Sequence, residues 1–302
     1  MILIIIYKNC QKKLETQYKF YLFIYISNIY YMYLKIEKWK GRLGNNIEQV
    51  KNTILLACIT NSNIILPEHK YFLNDKIIIN ENLDFNDKSL VLSGTGDIHK
   101  VYESKYIKLT LKKKFNIVEK MNKNQKIIRR HLRQLFKIKS NEVQKYDNKT
   151  LVIYIRSGDL FEEFVHYNYI SAPLYFYEKI INDNISKYDK FILVAEDNLN
   201  PVIKKLLKKY SFIEWNKNSL DDDISIILGC SHIVSCVGTF IKSLSWISKN
   251  MEKVYLPDFI GKRMYNPQIT FEKIELKGFR EKIDKWENTK EQCDFLINYK
   301  PN

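Results

Sequence analysis

The stretch Leu151-Val152-Ile153-Tyr154-Ile155-Arg156-Ser157-Gly158-Asp159 decides how the rest of the chain is read. An unbroken apolar run with β-branched residues, closed by an arginine and a glycine, predicts a buried strand that ends in a sharp turn. A strand apolar on both sides belongs in a parallel sheet with helices on each face.

Downstream the same rhythm continues. Helices are predicted over 173–185, 199–210, 220–230 and 240–250, and strands over 191–195, 212–215, 232–236 and 253–256. Pro173 suits the first turn of its helix. Asp221, Asp222 and Asp223 suit a helix N-terminus, where the backbone dipole favours negative charge. Alternation of short strands with helices defines an α/β fold.

Upstream the pattern is less regular. A strand over 34–37 leads into the turn Gly41-Arg42-Leu43-Gly44-Asn45, followed by a helix over 46–60 and a strand over 63–66. Residues 68–105 read as short strands and loops, and 125–136 as a basic helix. The polar run 141–149 is the natural boundary. The expected organisation is an N-terminal extension or membrane anchor (1–33), a first α/β domain (34–148) and a second α/β domain (149–302).

Composition narrows the function classes. The 302 residues include 21 Tyr and 16 Phe, too many aromatics for a disordered chain. A net charge of +15 invites a polyanionic partner. The lysines are nevertheless spread along the chain, and the knot Lys112-Lys113-Lys114 has no interleaved aromatics on which bases would stack. Nucleic acid is therefore not the expected partner, although the basic stretches 112–114 and 129–133 keep a nucleic-acid-binding protein as an alternative. The cysteines Cys10, Cys58, Cys230, Cys236 and Cys293 are odd in number and form no CxxC pair. Neither a structural zinc site nor a disulfide framework is expected, and a reducing compartment fits. Residues 20–34 are uncharged but shorter than the roughly 20 residues that span a bilayer. No small-residue cleavage site follows them. The expected location is cytoplasmic or cytoplasm-facing, with a membrane-anchored form in the secretory pathway left open.

In an open parallel sheet, ligands bind beyond the carboxyl ends of the strands. Three features fall at such places. Arg156, after the first strand of the second half, can meet a phosphate with a planar fork of donors, while Gly158 permits the turn and Asp159 orients the arginine. Read as structure alone, Arg156 and Asp159 form an ion pair that shapes the turn. Gly238-Thr239-Phe240 opens a helix after another strand, where free backbone N–H groups and a hydroxyl suit an anion. The same three residues also read as an ordinary helix cap. Gly41, Arg42, Gly44 and Asn45 lie between a strand and a helix but match neither the dinucleotide nor the P-loop spacing.

Taken in order, GRLGNN at 41–46, YIRSGD at 154–159 and GTF at 238–240 resemble the motifs of family-11 α-1,2-fucosyltransferases and their relatives. The similarity extends to Pro173-Leu174-Tyr175-Phe176-Tyr177 and to 223–240, and it covers roughly 34–260. The resemblance implies a GT-B-like fold of two Rossmann-like halves, with the donor-binding parallel sheet in the second. It implies transfer of fucose from GDP-fucose to a glycan hydroxyl with inversion, with no cofactor beyond the donor. Independence of a metal is expected from the residues themselves, since Arg156 and a helix N-terminus at Thr239 can stabilise the diphosphate. The only DxD-like run, Asp221-Asp222-Asp223, falls at a predicted helix start. By the resemblance, Arg156 would hold the β-phosphate, Asp223 read the guanine edge, and Thr239 stand near the pyrophosphate beside Gly238 and Phe240. Gly41, Arg42, Gly44 and Asn45 would form a first-domain loop facing the cleft.

Two positions depart from the family pattern. Tyr154 stands where the family usually has His, and Ser157 where many members have a second Arg. Another sugar nucleotide on the same fold is therefore an alternative donor. For the proton acceptor, the candidates near Arg156 are Asp159, Glu162, Glu163 and His166, each of which also reads as a solvated loop charge. The expected partners are a sugar nucleotide and a glycan acceptor; acceptor identity and oligomeric state are not legible.

Overall fold

The computed structural model describes residues 33–60, 62–74, 76–77, 89–92, 117–163, 165–262 and 264–301. The anchor expected within 1–33 therefore lies almost wholly outside the described residues. Among those residues no helix is long and apolar enough to cross a membrane. The chain divides into two compact units, and the second takes in Lys40–Glu48 and Lys70–Leu73 as well as Gln125–Asn302.

In the first unit, β1 (Tyr33–Ile36) pairs in parallel with β2 (Asn63–Ile65) and β4 (Ser89–Leu92), and β3 (Lys76–Ile77) pairs antiparallel with β2. The sheet order is β3-β2-β1-β4. Helix α1 (Leu43–Thr60) begins in the second unit and runs into the first from Gln49 onward. Its Val50, Ile54, Leu55 and Ala57 are fully buried, as are Leu34 of β1 and Ile64 of β2.

The second unit is built on β5 (Thr150–Tyr154), β6 (Lys190–Val194), β7 (Ile213–Trp215), β8 (His232–Val234), β9 (Lys253–Pro257) and β10 (Thr270–Ile274). These six strands are all parallel, in the order β10-β9-β8-β5-β6-β7. Helix α2 (Ile117–Leu135) belongs to this unit from Gln125 onward, and α3 (Leu174–Asn184), α4 (Pro201–Lys209), α5 (Leu220–Gly229), α6 (Phe240–Ile247), α7 (Phe279–Lys282) and α8 (Lys290–Asn298) lie wholly within it. The chain winds outward from β5 through α3 and α4 to β7. It then returns through α5 to β8 on the other side of β5 and winds outward again. This is the Rossmann strand order, with its switch point between β5 and β8.

Alternation within the strands explains the layering. Leu151, Ile153, Phe191, Leu193, Val234 and Tyr255 join one apolar cluster with Phe176, Ile180, Val202 and Leu206 of α3 and α4 and Leu296 of α8. The opposite-facing Val152, Ile233, Val254 and Leu256 are buried as well. Both faces of the sheet are covered, as the uniformly apolar strands require.

The α/β expectation is borne out, and the five strands read from the second half correspond to β5 through β9. Pro173 sits one position earlier than expected, as the N-cap of α3 with an extended backbone, φ −71° and ψ 161°. Strand β10 and helices α7 and α8 lie beyond the last predicted element. From Gln125 onward α2 groups with the second unit although it precedes residue 148, and Arg133 in that part donates to the carbonyls of Ile247 (2.8 Å) and Ser248 (2.7 Å) at the end of α6.

Candidate functional site

The site grows from the carboxyl end of β5. The last backbone bond on this side runs from Ile155 N–H to the Val194 carbonyl (3.0 Å). Arg156 N–H then turns to Cys236 Sγ beyond β8 (3.4 Å), which brings the loops after β5 and β8 together at the switch point. Gly158 follows with φ +52°, a conformation that suits glycine, and opens a single 3₁₀ turn over Gly158–Leu160. Within that turn Asp159 reaches back to Arg156, accepting from Nη2 (2.8 Å) and Nε (3.3 Å). The Tyr169 ring covers the other side of the Arg156 guanidinium, 4.5 Å from its centre.

Ser157 points away from Arg156 and is almost fully buried. Its hydroxyl donates to Asp197 and accepts from Asn200 N–H (2.9 Å). Asn200 Nδ2 in turn donates to the Arg156 carbonyl (3.0 Å). Burial works against charge on the Asp197 carboxyl. Donors from Ser157, Leu199 N–H and Gly158 N–H outweigh it and hold the pKa below the usual carboxylate value. This web fixes the backbone that aims Arg156.

The loop carrying Gly41, Arg42, Gly44 and Asn45 belongs to the second unit, not to the first-domain residues around it in sequence. Three attachments explain this. The Ser243 hydroxyl of α6 shares its one proton between the Gly44 carbonyl (2.9 Å) and Glu48 Oε1 (3.0 Å). The Thr239 hydroxyl donates to Asn45 Oδ1 (2.9 Å). Arg42 pairs with Glu196 and with Asp159 (3.1 Å). Gly44 packs so closely on the first turn of α6 that a Cβ there would lie 2.7 Å from Thr239 Oγ1 and 2.8 Å from Phe240 N.

Thr239 is the N-cap of α6, yet its side chain makes no cap hydrogen bond, because the hydroxyl is turned to Asn45. The N-terminus of α6 therefore keeps its positive end facing the loop after β5. Gly238 (φ +112°) precedes it, packed against Arg156. The Phe240 ring lies 5.8 Å from that of Tyr154, whose hydroxyl pKa burial raises well above the usual value.

Helix α5 starts beside the same space. Its three acidic residues divide the work there. Asp222 completes a capping box with Ser219, and Asp221 accepts from Tyr71 (2.6 Å) and Lys70 (3.0 Å). Asp223 is 7% exposed and faces the cavity near Asn218. Burial pushes its carboxyl up to about 6, against the Asn218 hydrogen bond, with Asp222 and Glu196 adding negative potential.

These residues enclose a cavity of about 490 Å³, a size suited to one small-molecule ligand. Of the residues singled out in the sequence, Gly41, Arg42, Gly44, Asn45, Tyr154, Arg156, Asp159, His166, Asp223, Thr239 and Phe240 line it. Gly238 stands behind Arg156. Glu162 and Glu163 are exposed on the loop and do not line the cavity. The Glu162 carbonyl instead accepts from Asn288 (3.2 Å). Sequence reading missed Glu196, Asn218 and Tyr169. Glu196 and Asn218 follow the carboxyl ends of β6 and β7 by a few residues, so the strand-end rule reaches them once the sheet order is known. Among the described residues no cluster of His, Cys, Asp and Glu could hold a metal ion.

Fold and cavity together define a doubly wound, Rossmann-like α/β protein with a charged cleft at its switch point, where Arg42 and Arg156 face Asp159, Glu196 and Asp223. No family model and no curated protein matches the chain. Among solved structures it is similar to the E. coli heptosyltransferase WaaC with ADP, at 10% identity over 82% of this chain and 91% of that one, with a TM-score of 0.36. It is also similar to POFUT1 in complex with GDP, at 11% identity over 75% of this chain and 98% of that one, with a TM-score of 0.41.

Proposed function

We propose that this protein is a glycosyltransferase of GT-B-like architecture that transfers fucose from GDP-fucose to a glycan hydroxyl with inversion. The observation that carries the reading is the convergence of Arg156 and the uncapped α6 N-terminus on one cavity at the switch point, with Asp223 in the same cavity. The order of the GRLGNN, YIRSGD and GTF stretches supports the fucosyl assignment.

The chemistry follows from charge. The anomeric C–O bond to the β-phosphate breaks as the acceptor oxygen forms its bond to the same carbon from the opposite face, and the acceptor proton must leave. Negative charge develops on the departing diphosphate. Arg156 supplies a forked, fixed donor to it, and the first turn of α6 supplies backbone N–H groups and the positive end of the helix dipole. In this proposal those groups replace a metal at the leaving group. Asp223 offers two acceptor oxygens, which match the adjacent N–H donors on the guanine edge. For the proton, Asp159 and Glu196 both line the cavity, each bound to Arg42, and Asp159 also to Arg156. Of these two candidates Glu196 is held by one arginine and Asp159 by two.

Thermal stabilisation by GDP, GDP-fucose, GDP-mannose, UDP and UDP-sugars, measured on the parent and on Arg156→Ala, tests the proposal, because a ligand that binds only the folded state raises its apparent stability. A shift with GDP and GDP-fucose that Arg156→Ala removes supports it. A shift with UDP compounds alone keeps the site and replaces the donor. No shift with any nucleotide overturns the enzyme reading.

A further inference from the structure

The six-stranded sheet has a second concave surface at its other end. His232, Lys253 and Thr270 are the first residues of β8, β9 and β10, and they stand side by side in register. Arg156 and Thr239, by contrast, follow the carboxyl ends of their strands. With Arg129, Lys187 and Lys249, these three residues line a cavity of about 410 Å³.

Its chemistry is one-sided. Four cations, Arg129, Lys187, Lys249 and Lys253, line it against the single carboxylate of Glu252. Lys253 is already bonded to Glu272 (2.6 Å). Lys187 and Lys249 are exposed and make no ion pair among the described residues. Arg129 Nε is shut off from solvent with no hydrogen-bond partner. A buried donor left unmade costs free energy that an arriving acceptor recovers. His232 holds Tyr188 through Nδ1 (3.0 Å). Burial and the ammonium groups of Lys187 and Lys253 depress its pKa, as a positive local field requires, against the opposing pull of Glu252. Gln268 adds a neutral amide to the lining, whereas the Thr270 hydroxyl is already given to the Glu252 carbonyl (2.9 Å).

We infer that this cavity binds a phosphate-bearing anion, either a free phosphate ester or a lipid headgroup. A guanidinium fork among ammonium groups is the donor set that meets phosphate oxygens best. This site is separate from the proposed donor cleft and does not depend on it.

Calorimetric titration of the full chain with inorganic pyrophosphate at low salt tests the inference. Two substitutions at exposed lysines, Lys187→Gln with Lys249→Gln, are expected to remove one equivalent of binding or weaken it at least tenfold, with the melting curve unchanged. Arg156→Ala is expected to leave that equivalent in place, so a failure of the donor reading leaves this result intact. Lys204→Gln with Lys205→Gln, the same charge change on exposed α4, is the control. Equal weakening by the control, no effect of the Lys187 and Lys249 substitutions, or no pyrophosphate binding outside the Arg156 site overturns the inference. Vesicles containing phosphatidic acid separate the sources. Vesicle binding that depends on Lys187 and Lys249 assigns a headgroup, and pyrophosphate binding without vesicle binding assigns a free ester.

Discussion

A Cβ placed on Gly238 would stand 2.5 Å from Nη1 of Arg156. The glycine after β8 thus makes room for the arginine after β5, two positions separated by 82 residues and joined by the switch point. Gly238→Ala must also adopt φ +112°, where L side chains are strained by about 1–3 kcal/mol. We expect a melting temperature several degrees lower and GDP affinity reduced at least tenfold, measured by thermal unfolding and titration. An unchanged affinity would show that Arg156 does not meet the diphosphate.

Gly44→Ala tests the loop on α6. The added methyl meets Phe240 N at 2.8 Å and Cα at 2.9 Å, which are backbone atoms that cannot step aside. Overpacking of this kind costs about 1–3 kcal/mol. Chemical denaturation should show that loss, whereas Thr239→Val, which removes one hydrogen bond to Asn45, should cost about 1 kcal/mol.

Ser157 stands where the resembled family often has arginine, and the structure gives that position a different job. Ser157→Ala leaves Asp197 without its hydroxyl donor and Asn200 N–H without an acceptor. A loss of about 1–3 kcal/mol follows from the unpaired buried groups. Ser157→Arg should destabilise more than Ser157→Ala and gain no nucleotide affinity, since the side chain points into the buried web and not into the cleft. Tighter GDP binding by Ser157→Arg would contradict this.

Asp223 gives a pH signature. Its folded pKa of about 6 lies above the unfolded value of 3.8, so the folded chain binds the proton more tightly. Stability is therefore greatest below pH 3.8 for this group and declines as pH rises through about 6. Asp223→Asn should flatten that decline and add about 1 kcal/mol at pH 7, an amount discounted for solvent near the cavity mouth. Nucleotide binding should run the other way. Guanine needs the ionised carboxylate as acceptor, so GDP affinity should fall as pH drops below about 6, and Asp223→Asn should abolish the preference for GDP over ADP.

If arginine and helix dipole carry the leaving-group charge, EDTA should leave the initial rate of fucosyl transfer within about twofold, while Arg156→Lys should lower it about 100-fold or more through loss of the forked contact. A rate restored only by a divalent cation would refute the metal-independent proposal.

Strands β5 through β9 were legible because each is a short, mostly apolar run bounded by polar turns, the pattern that a covered parallel sheet requires. The residues after β5 and β8 were legible for a related reason: a parallel sheet presents its strand ends as one edge. Asp222 could be read as capping α5 from its place at the helix start, because capping is local. By contrast, β10, α7 and α8 are polar enough on one side to hide their pattern, and their burial comes from packing against elements distant in sequence.

The amino-acid sequence by itself determined the α/β class, the alternation of β5 through β9 with their helices, and the arginine, glycines and acidic residue at the strand and helix ends. Those depend on periodicity and on backbone chemistry within a few residues. Only the tertiary structure decided that the Gly41–Asn45 loop belongs to the second unit, that Glu196 and Asp159 share Arg42, that Glu162 and Glu163 stand outside the cavity, and that Ser157 faces inward. Each of these follows from the strand order, which brings positions far apart in the chain within hydrogen-bonding distance, and strand order is a property of long-range packing that no local pattern encodes.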